Sequence, residues 1–589
     1  MTIPQGANAR QTGSKKERGL VLDGDMTPAL TVTRSLGRLG LDIVVASHED
    51  NPIAGYSKYA RKTLTYPNPL EAEHEFLQWC KDVVADGEYS LIVPVTERTV
   101  VPLQAFPGSP AEHKIAIAPN DALAVVLDKH RTMLIAIEEG IRVPESHSIS
   151  DMQQLAPLRD RLQMPVVIKP ARSIGSNDKE RIHLSVEYAF DLSEVHSKVE
   201  GFLRYGDVLL QEFVRGQGVG IELIASHGEV LYAFQHLRLH EVPLTGGGSS
   251  LRTSVPIEPE LLDASKKLIS RLKWHGVAMV EFKWQADKRI CTLMEINGRF
   301  WGSLPLATAA GADFPAMLYE LSTHGRIFDW PEAKSGVYCR KLSSDIAWHE
   351  SVWRREAPNG MFEYPSAGSI LRDWLRIFLP RHHFDVQQWS DPIPGFVDIK
   401  RILQSNTQRL TRLLAERSQR KGHHRAWKRG RVKELTRNAS QLLFLCYGNI
   451  NRSALAEKAF KQQVPDDGPT AISAGFHEHE GRPADPTMIE VASALGIDLG
   501  DCSSRRVNPQ MVDDSDVIFV MELTHYQRLC DEFPSARKKT FLLNGSERGS
   551  KDNYEIADPY GKSRQTYEAC ARQVDRCVTQ IARYLSDPR

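Results

Sequence analysis

The stretch from Leu442 to Phe460 constrains the architecture of this chain more than any other. An apolar run, Leu442 to Leu445, leads into Cys446-Tyr447-Gly448-Asn449-Ile450-Asn451-Arg452-Ser453, and a helix-forming run, Ala454 to Phe460, follows at once. A strand, a tight loop and a helix start are stacked within a few residues. A loop ending at a helix N-terminus aims backbone N–H groups at one spot and favours a dianion there. The same field lowers a thiol pKa, so Cys446 is expected as a thiolate near neutral pH. Arg452 adds a planar fork that holds two phosphate oxygens at once. A thiolate, an anion cradle and a guanidinium together move a phosphoryl group onto sulfur.

That chemistry still lacks a carboxylic acid, and Ala557-Asp558-Pro559-Tyr560 supplies one far downstream, in a polar loop before the last helix. Departure of a tyrosyl alkoxide needs a proton and hydrolysis of a phosphocysteine needs a base; Asp558 serves as both in turn. Without it, Cys446 would read as an ordinary buried cysteine at a strand end.

Residues from about 440 to 586 resemble a low-molecular-weight protein tyrosine phosphatase. Ser473-Ala474-Gly475, Gly481-Arg482-Pro483-Ala484-Asp485-Pro486, Gly496-Ile497-Asp498, Ser504-Arg505-Arg506 and Asp516-Val517-Ile518-Phe519-Val520-Met521 fall in that family's order. The tail Asp558-Pro559-Tyr560-Gly561-Lys562-Ser563-Arg564 resembles the bacterial branch associated with capsule and exopolysaccharide synthesis. There the phosphotyrosine protein acted on is usually an autophosphorylating membrane tyrosine kinase. The resemblance implies Cys446 as nucleophile, Arg452 as phosphate ligand and Ser453 as hydrogen-bond partner of the thiolate. It also implies Asn449 holding a left-handed turn, Asp558 as acid and then base, and Tyr560 beside the substrate ring. Two departures stand out. Asn451 replaces a second loop cysteine, so no disulfide shields the nucleophile. Phe476-His477-Glu478-His479 stands where the family often places Trp or Tyr. The Met521-Glu522 strand end lacks the cysteine of thiol arsenate reductases, and Ile450 replaces the Thr of phosphoarginine phosphatases, which favours phosphotyrosine.

At 589 residues the chain is too long for one core, and two to four domains are expected. Net charge is zero, which gives no reason to expect nucleic acid. Eight cysteines without paired spacing point to a reducing compartment. The polar, basic start from Met1 to Arg18 has no apolar segment of a secretory signal, and no apolar stretch is long enough to span a bilayer. The expectation is a cytoplasmic enzyme.

The fold class expected is multidomain α/β and α+β. Residues 1–18 read as a disordered lead. Leu20 to Asp25, a helical Thr27 to Leu39, Leu41 to Ala46, Leu91 to Glu97 and Lys114 to Ala118 read as a parallel α/β domain over 19–120. Residues 121–330 mix helices with hairpin-like strands, among them 166–170, 208–214, 277–282 and 291–297. Residues 331–399, the least readable, are taken as an extension of that domain. Residues 400–437 abound in Lys and Arg, with Glu416 and Glu434 the only acids. They read as a basic helical linker, solvated in preference to lying on a membrane surface. Residues 438–589 form the last domain, a parallel sheet flanked by helices.

A second constellation lies between 120 and 300. Glu281 and Glu295 sit on adjacent strands, with Asn297 on the same face as Glu295. Such oxygen ligands suit Mg²⁺, or Mn²⁺, completed by nucleotide phosphates. Lys129 and Lys169 are candidate phosphate cations, and Gln211 to Val214 a candidate edge for adenine. With the ending Glu295-Ile296-Asn297-Gly298-Arg299, this stretch resembles the ATP-grasp superfamily in its carbamoyl-phosphate-synthase-like branch, over about 19–330. The resemblance implies a pre-ATP-grasp domain and two lobes gripping ATP. It assigns Lys129 and Lys169 to phosphates, Glu212, Phe213 and Val214 to the adenine hinge, and Glu222 to the ribose. Glu281, Glu295 and Asn297 become metal ligands, Arg299 steadies an acyl phosphate, and Thr245 to Ser250 form a mobile loop. It implies ligation of a small-molecule acid to an amine. The combined reading is a bifunctional phosphatase and ligase; the alternative is an ATP-binding scaffold that regulates the phosphatase.

Overall fold

The computed structural model describes residues 17–86, 89–106, 114–176, 181–358, 360–465, 467–545 and 554–586. The chain divides into two compact units, Met1–Leu403 and Gln404–Arg589. The expected disordered lead lies outside the described residues except for Glu17 and Arg18, and Arg18 is already the first residue of a strand.

Unit 1 begins with a parallel sheet of β1 (Arg18–Val21), β2 (Asp42–Ser47), β3 (Ala60–Thr65) and β4 (Leu91–Val93), in the order β3-β2-β1-β4. The continuous apolar runs in β1 and β2 are what a sheet buried on both faces requires. The helix Thr27–Arg38 starts with Pro28 in its first turn, where a missing N–H costs nothing. The expected strand Lys114 to Ala118 reduces to one parallel bridge, Ile92 to Ile115.

A small antiparallel sheet follows, from β5 (Ser146–Ile149), β6 (Val166–Pro170), β9 (Glu187–Ala189) and β10 (Val208–Glu212), in the order β5-β10-β6-β9. A separate hairpin, β7 (Ile174–Ser176) and β8 (Arg181–His183), lies between β6 and β9 in sequence. The main sheet has seven strands: β11 (Gln217–Ser226), β12 (Glu229–Val242), β13 (Gly248–Val255), β14 (Gly276–Gln285), β15 (Ile290–Asn297), β16 (Tyr338–Arg340) and β17 (His382–Phe384). Their order is β15-β14-β11-β12-β13-β16-β17. Val219, Ile221 and Leu223 of β11 turn to a core with Leu261, Leu268 and Trp274. The alternate residues Gly220, Glu222 and Ile224 take the opposite face, as the two-residue period of a strand dictates. The hard-to-read 331–399 region thus supplies the last two strands of this sheet. Half of the expected mobile loop, Gly248 to Ser250, is the start of β13.

Unit 2 is a parallel sheet of β18 (Gln441–Cys446), β19 (Thr470–Gly475), β20 (Val517–Val520) and β21 (Thr540–Leu542), in the order β19-β18-β20-β21. Leu442 and Phe444 pack on one side with Phe460 and Val574; Leu443 and Leu445 pack on the other with Ile518 and Leu529. The neighbours of β18 leave it in opposite directions, so the crevice of the sheet opens at its C-terminal end, where Cys446 stands.

The expected linker is helical, in two pieces, Pro392–Lys428 and Arg431–Arg437, separated by Gly430 at a left-handed φ of 74°. It is not solvated throughout. His423, Trp427, Val432 and Thr436 are buried in unit 2, about one helical turn apart. Trp427 lies against Phe519 and Tyr584 and donates its indole N–H to the Leu542 carbonyl at 2.9 Å. The basic composition of 400–437 describes the exposed faces and masks this buried stripe.

Candidate active sites

In unit 2, the loop after β18 is folded by bonds that pull its carbonyls outward. Tyr447 O accepts from the N–H groups of Phe476 and His477 at 2.8 and 3.0 Å, and Ile450 O from Asp485 N–H at 3.0 Å. Gly448 O accepts from Arg482 Nη2 at 2.7 Å. Peptides whose carbonyls point outward turn their N–H groups inward, which makes an anion-binding concavity. Asn449 holds the tightest point at a φ of 53°. Its Oδ1 accepts from Arg505 N–H at 2.8 Å, and its Nδ2 donates to Ser453 Oγ and Ser473 Oγ, both at 2.9 Å. Ser453 Oγ lies 3.0 Å from Cys446 Sγ, and Asn449 N–H donates to that sulfur at 3.2 Å.

Arg452 opens the helix Arg452–Gln463 and is buried. Its Nη2 donates to Asp558 Oδ2 at 2.5 Å, its Nη1 to the Ile556 carbonyl at 2.7 Å and also to Glu522. Its Nε has no partner although it is buried. Burial would lower the guanidinium pKa, but Cys446, Asp558 and Glu522 more than offset it and raise it. The structure therefore brings together Cys446, Asn449, Arg452, Ser453 and Asp558. Tyr560, two residues past Asp558, is exposed, and so is Tyr447 beside the nucleophile. Phe476, where the family often places Trp or Tyr, is buried and stacks on His525.

Two residues of this site went unread in the sequence. Glu522 follows the end of β20 and binds Arg452. Burial raises its pKa, but the Arg452 bond and charge outweigh that and lower it. His525 is pushed to about 4 by burial and then by the Arg452 charge, so it is neutral at neutral pH. The signal was present: Glu522 and His525 are three apart, one turn of the helix Leu523–Glu532.

The low molecular weight phosphotyrosine protein phosphatase family matches residues 441–588. The phosphatase Wzb of Salmonella typhi is 36% identical over 149 residues, which cover 25% of this chain and 95% of Wzb. The chain belongs to this family. The probable phosphatase EpsP of Ralstonia nicotianae is 32% identical over 137 residues, 23% of this chain and 90% of EpsP. Residues 204–344 match the family described as ATP-grasp in the biosynthetic pathway with Ter operon. Among solved structures, the L-amino acid ligase of Bacillus licheniformis aligns over 53% of this chain and 75% of its own, with 16% identity and a TM-score of 0.40. The chain is an enzyme with a phosphatase domain in unit 2 and an ATP-grasp domain in unit 1.

In the ATP-grasp domain, β14 and β15 pair antiparallel, with Glu281 opposite Glu295 and Met279 opposite Asn297. Asn297 Nδ2 donates to Glu295 Oε1 at 3.3 Å. Burial would raise the Glu295 carboxyl pKa, but Lys129, Lys169 and Arg299 more than offset it and lower it. Lys169, buried in β6, has its own pKa lowered by burial against the opposing pull of Glu295. Lys129 heads the helix Lys129–Glu138 and donates to Ser173 Oγ at 3.0 Å. Cations and carboxylates from three separate segments thus meet on one sheet face. Glu281 is held by Arg238 of β12, whose Nη1 donates to Oε1 at 2.7 Å and whose Nη2 donates to Oε2. Arg238 is a residue the sequence did not single out.

Arg299 donates to the Phe300 carbonyl at 2.9 Å and reaches Glu97 at 3.4 Å. It lines a cavity of about 540 Å³ with Thr96, Arg98, His236, Arg238 and Lys341. Gln211 Nε2 donates to Ser146 Oγ at 2.8 Å while its buried Oε1 has no partner; Phe213 rests edge-on to Tyr188. Glu212 Oε1 accepts from Glu145 N–H at 3.2 Å, and Val214 follows just past the end of β10. Glu222, expected at the ribose, is fully buried in β11, where it accepts from Ser303 Oγ at 2.6 Å and lies 2.9 Å from His236 Nδ1. The register puts it opposite Met279, which in turn faces Asn297, so Glu222 shares the sheet face of Glu281 and Asn297 and lies beneath Ser303 and His236.

Proposed function

We propose that the chain hydrolyses phosphotyrosine in a protein through a phosphocysteine intermediate at Cys446, and joins an acid to an amine at the expense of ATP in unit 1. The observation that carries the first half is the Arg452 fork, bonded to Asp558 at 2.5 Å within the loop that holds Cys446. A phosphate dianion competes with Asp558 for that fork, so binding substrate releases the acid beside the scissile bond. Asp558, freed from the fork, takes up a proton from solvent; Cys446 sulfur then attacks phosphorus as the phosphorus–oxygen bond to tyrosine breaks, and Asp558 passes that proton to the leaving oxygen. Water, deprotonated by Asp558, next breaks the phosphorus–sulfur bond. Exposed Tyr447 and Tyr560 suit an aromatic substrate. A tyrosine kinase that phosphorylates itself, and a role in exopolysaccharide production, are the partner and setting this reading favours, by analogy with the family's bacterial branch.

For unit 1, the donor set supports ATP with a divalent cation. Glu281, Glu295 and Asn297 offer oxygen ligands of the kind Mg²⁺ takes, and Lys129 and Lys169 offer charges for phosphates. Gln211 to Val214, at the end of β10, are the edge this reading gives to adenine. The cation would neutralise charge on the transferring phosphoryl group; Arg299 would steady the acyl phosphate. One observation favours a second reading, an ATP-binding scaffold without turnover: Arg238 already neutralises Glu281. The deciding experiment is ADP release by Cys446→Ser over a panel of acids and amines. Acceptor-dependent ADP with no aryl phosphatase activity supports two independent enzymes. Loss of ATP binding in that variant refutes the two-site reading, and phosphatase activity of the unsubstituted chain that responds to ATP, with no acceptor-dependent ADP, selects the scaffold.

A further inference from the structure

The helix Ala367–Leu375 and the turn Arg376–Phe378 that prolongs it are oriented against the usual rule for a surface helix. Its sequence is amphipathic, yet it buries no residue. Its inward side is the polar one. Asp373 accepts from Arg376 at 2.6 Å and pairs with His240 at 3.4 Å, while Ile370 alone packs against the small cluster of Leu244, Trp348 and Val352. Its outward side carries Leu371, Trp374, Leu375, Phe378 and Leu379, all exposed, with Phe378 at 84%. At 100° per residue, Leu371, Trp374, Leu375 and Phe378 fall on one side. The helix Leu342–Arg354 extends the same edge: the His349 ring lies 5.3 Å from that of Trp374, and Trp353, 85% exposed, stands one turn beyond His349.

A soluble domain turns the apolar stripe of a helix toward its core, and a contiguous apolar patch left outside marks an interaction site. The charges decide the kind of partner. From 366 to 381 the only acid is Asp373, which faces inward, and the cations are Arg372, Arg376 and Arg381. Arg372 and Arg381 are exposed beside the apolar ridge. The ridge stands out from a helix, and a convex face of this kind fits a flat surface better than it clasps an extended peptide. Aliphatic and aromatic side chains with tryptophans at the edge and arginines on the flank are the composition of helices that lie in a membrane–water interface.

We propose that Leu371, Trp374, Leu375, Phe378 and Trp353 dock unit 1 on the surface of an anionic bilayer. The side chains sink to headgroup depth, and Arg372 and Arg381 pair with lipid phosphates. Among the described residues no helix is long and apolar enough to cross a membrane, and the docking element is not the basic 400–437 segment.

The test is co-sedimentation of the full chain with phosphatidylcholine vesicles, with and without phosphatidylglycerol. The chain should pellet with the anionic vesicles and be released by salt. Leu375→Glu and Phe378→Glu should each weaken binding about tenfold, the order of effect for withdrawing one large apolar side chain from the interface. Arg372→Ala with Arg381→Ala should weaken it on anionic vesicles alone. These side chains are exposed, so folding is unaffected; Leu375→Ser provides a milder check with the same expected direction. Failure to pellet with anionic vesicles overturns the proposal, and so does wild-type binding by both glutamate variants. A concentration-dependent dimer that Leu375→Glu splits would assign the ridge to a second copy of this chain instead.

Discussion

Replacing His423 with phenylalanine tests whether the end of the basic helix belongs to the phosphatase domain. His423 sits edge-on to Tyr526 at 4.5 Å, near Phe541 at 6.4 Å, and burial holds its pKa at about 4. The unfolded chain titrates near ~6.5. Between these values the unfolded state binds a proton that the folded state refuses, so stability rises with pH. The contribution is complete above about pH 6.5 and is lost as pH falls toward 4. A shift of some ~2.5 units corresponds to about 3 kcal/mol in total, of which about 2 kcal/mol is lost by pH ~5. The assay is hydrogen exchange by mass spectrometry in urea, following peptides of β18 and β20 in the full chain near pH ~7 and pH ~5. His525, also held at about 4, contributes equally to both proteins and cancels in the difference. His423→Phe should shrink the acid-induced loss of stability by about 2 kcal/mol. An undiminished loss, or a His423 resonance titrating near the ordinary histidine value, would refute the packing argument and return the segment to solvent.

Two further outcomes follow from the sites. Asp558→Asn should lower kcat on an aryl phosphate by roughly 10²–10⁴, because the proton transfer is lost while the Arg452 fork remains; an unchanged rate would mean that another group is the acid. Glu295→Gln keeps the size and removes the anion, so Mg²⁺-dependent ADP release should fall while aryl phosphate hydrolysis stays the same; acceptor-dependent ADP release that survives the change would remove Glu295 from the metal site.

The phosphatase site was legible because its chemistry is local. Cys446 to Ser453 is one strand–loop–helix step, and Asp558 needed only a polar loop to announce it. The ATP-grasp carboxylates were legible for a related reason: Glu281 and Glu295 interrupt apolar runs in two strands whose pairing is implied by their patterns. Residues that act across strands were not legible. Arg238 reaches Glu281 from β12, a neighbour of neither β14 nor β15, and no spacing in the sequence reports that contact. For Glu222 the sequence shows the alternation of its strand but not what covers its face, which is Ser303 and His236. Strands of three residues, such as β16 and β17, are too short to display a period, so the extension that completes the main sheet had no signature. The buried stripe His423, Trp427, Val432 and Thr436 was outvoted by the basic residues around it, since composition averages over the whole helix circumference.

In both units an arginine binds a carboxylate that the proposed chemistry requires: Arg452 holds Asp558, and Arg238 holds Glu281. The arginine holds the carboxylate in position and also occupies the oxygens with which it would act. A phosphate offers the guanidinium a better anion, with more charge and the same bidentate fit. On this argument Arg452 couples binding to catalysis in the phosphatase: the event that fills the fork is the event that frees Asp558. The same logic at Arg238 would make Glu281 a ligand only once nucleotide phosphates have taken up the guanidinium, which ties the metal site of the ATP-grasp domain to occupation by ATP.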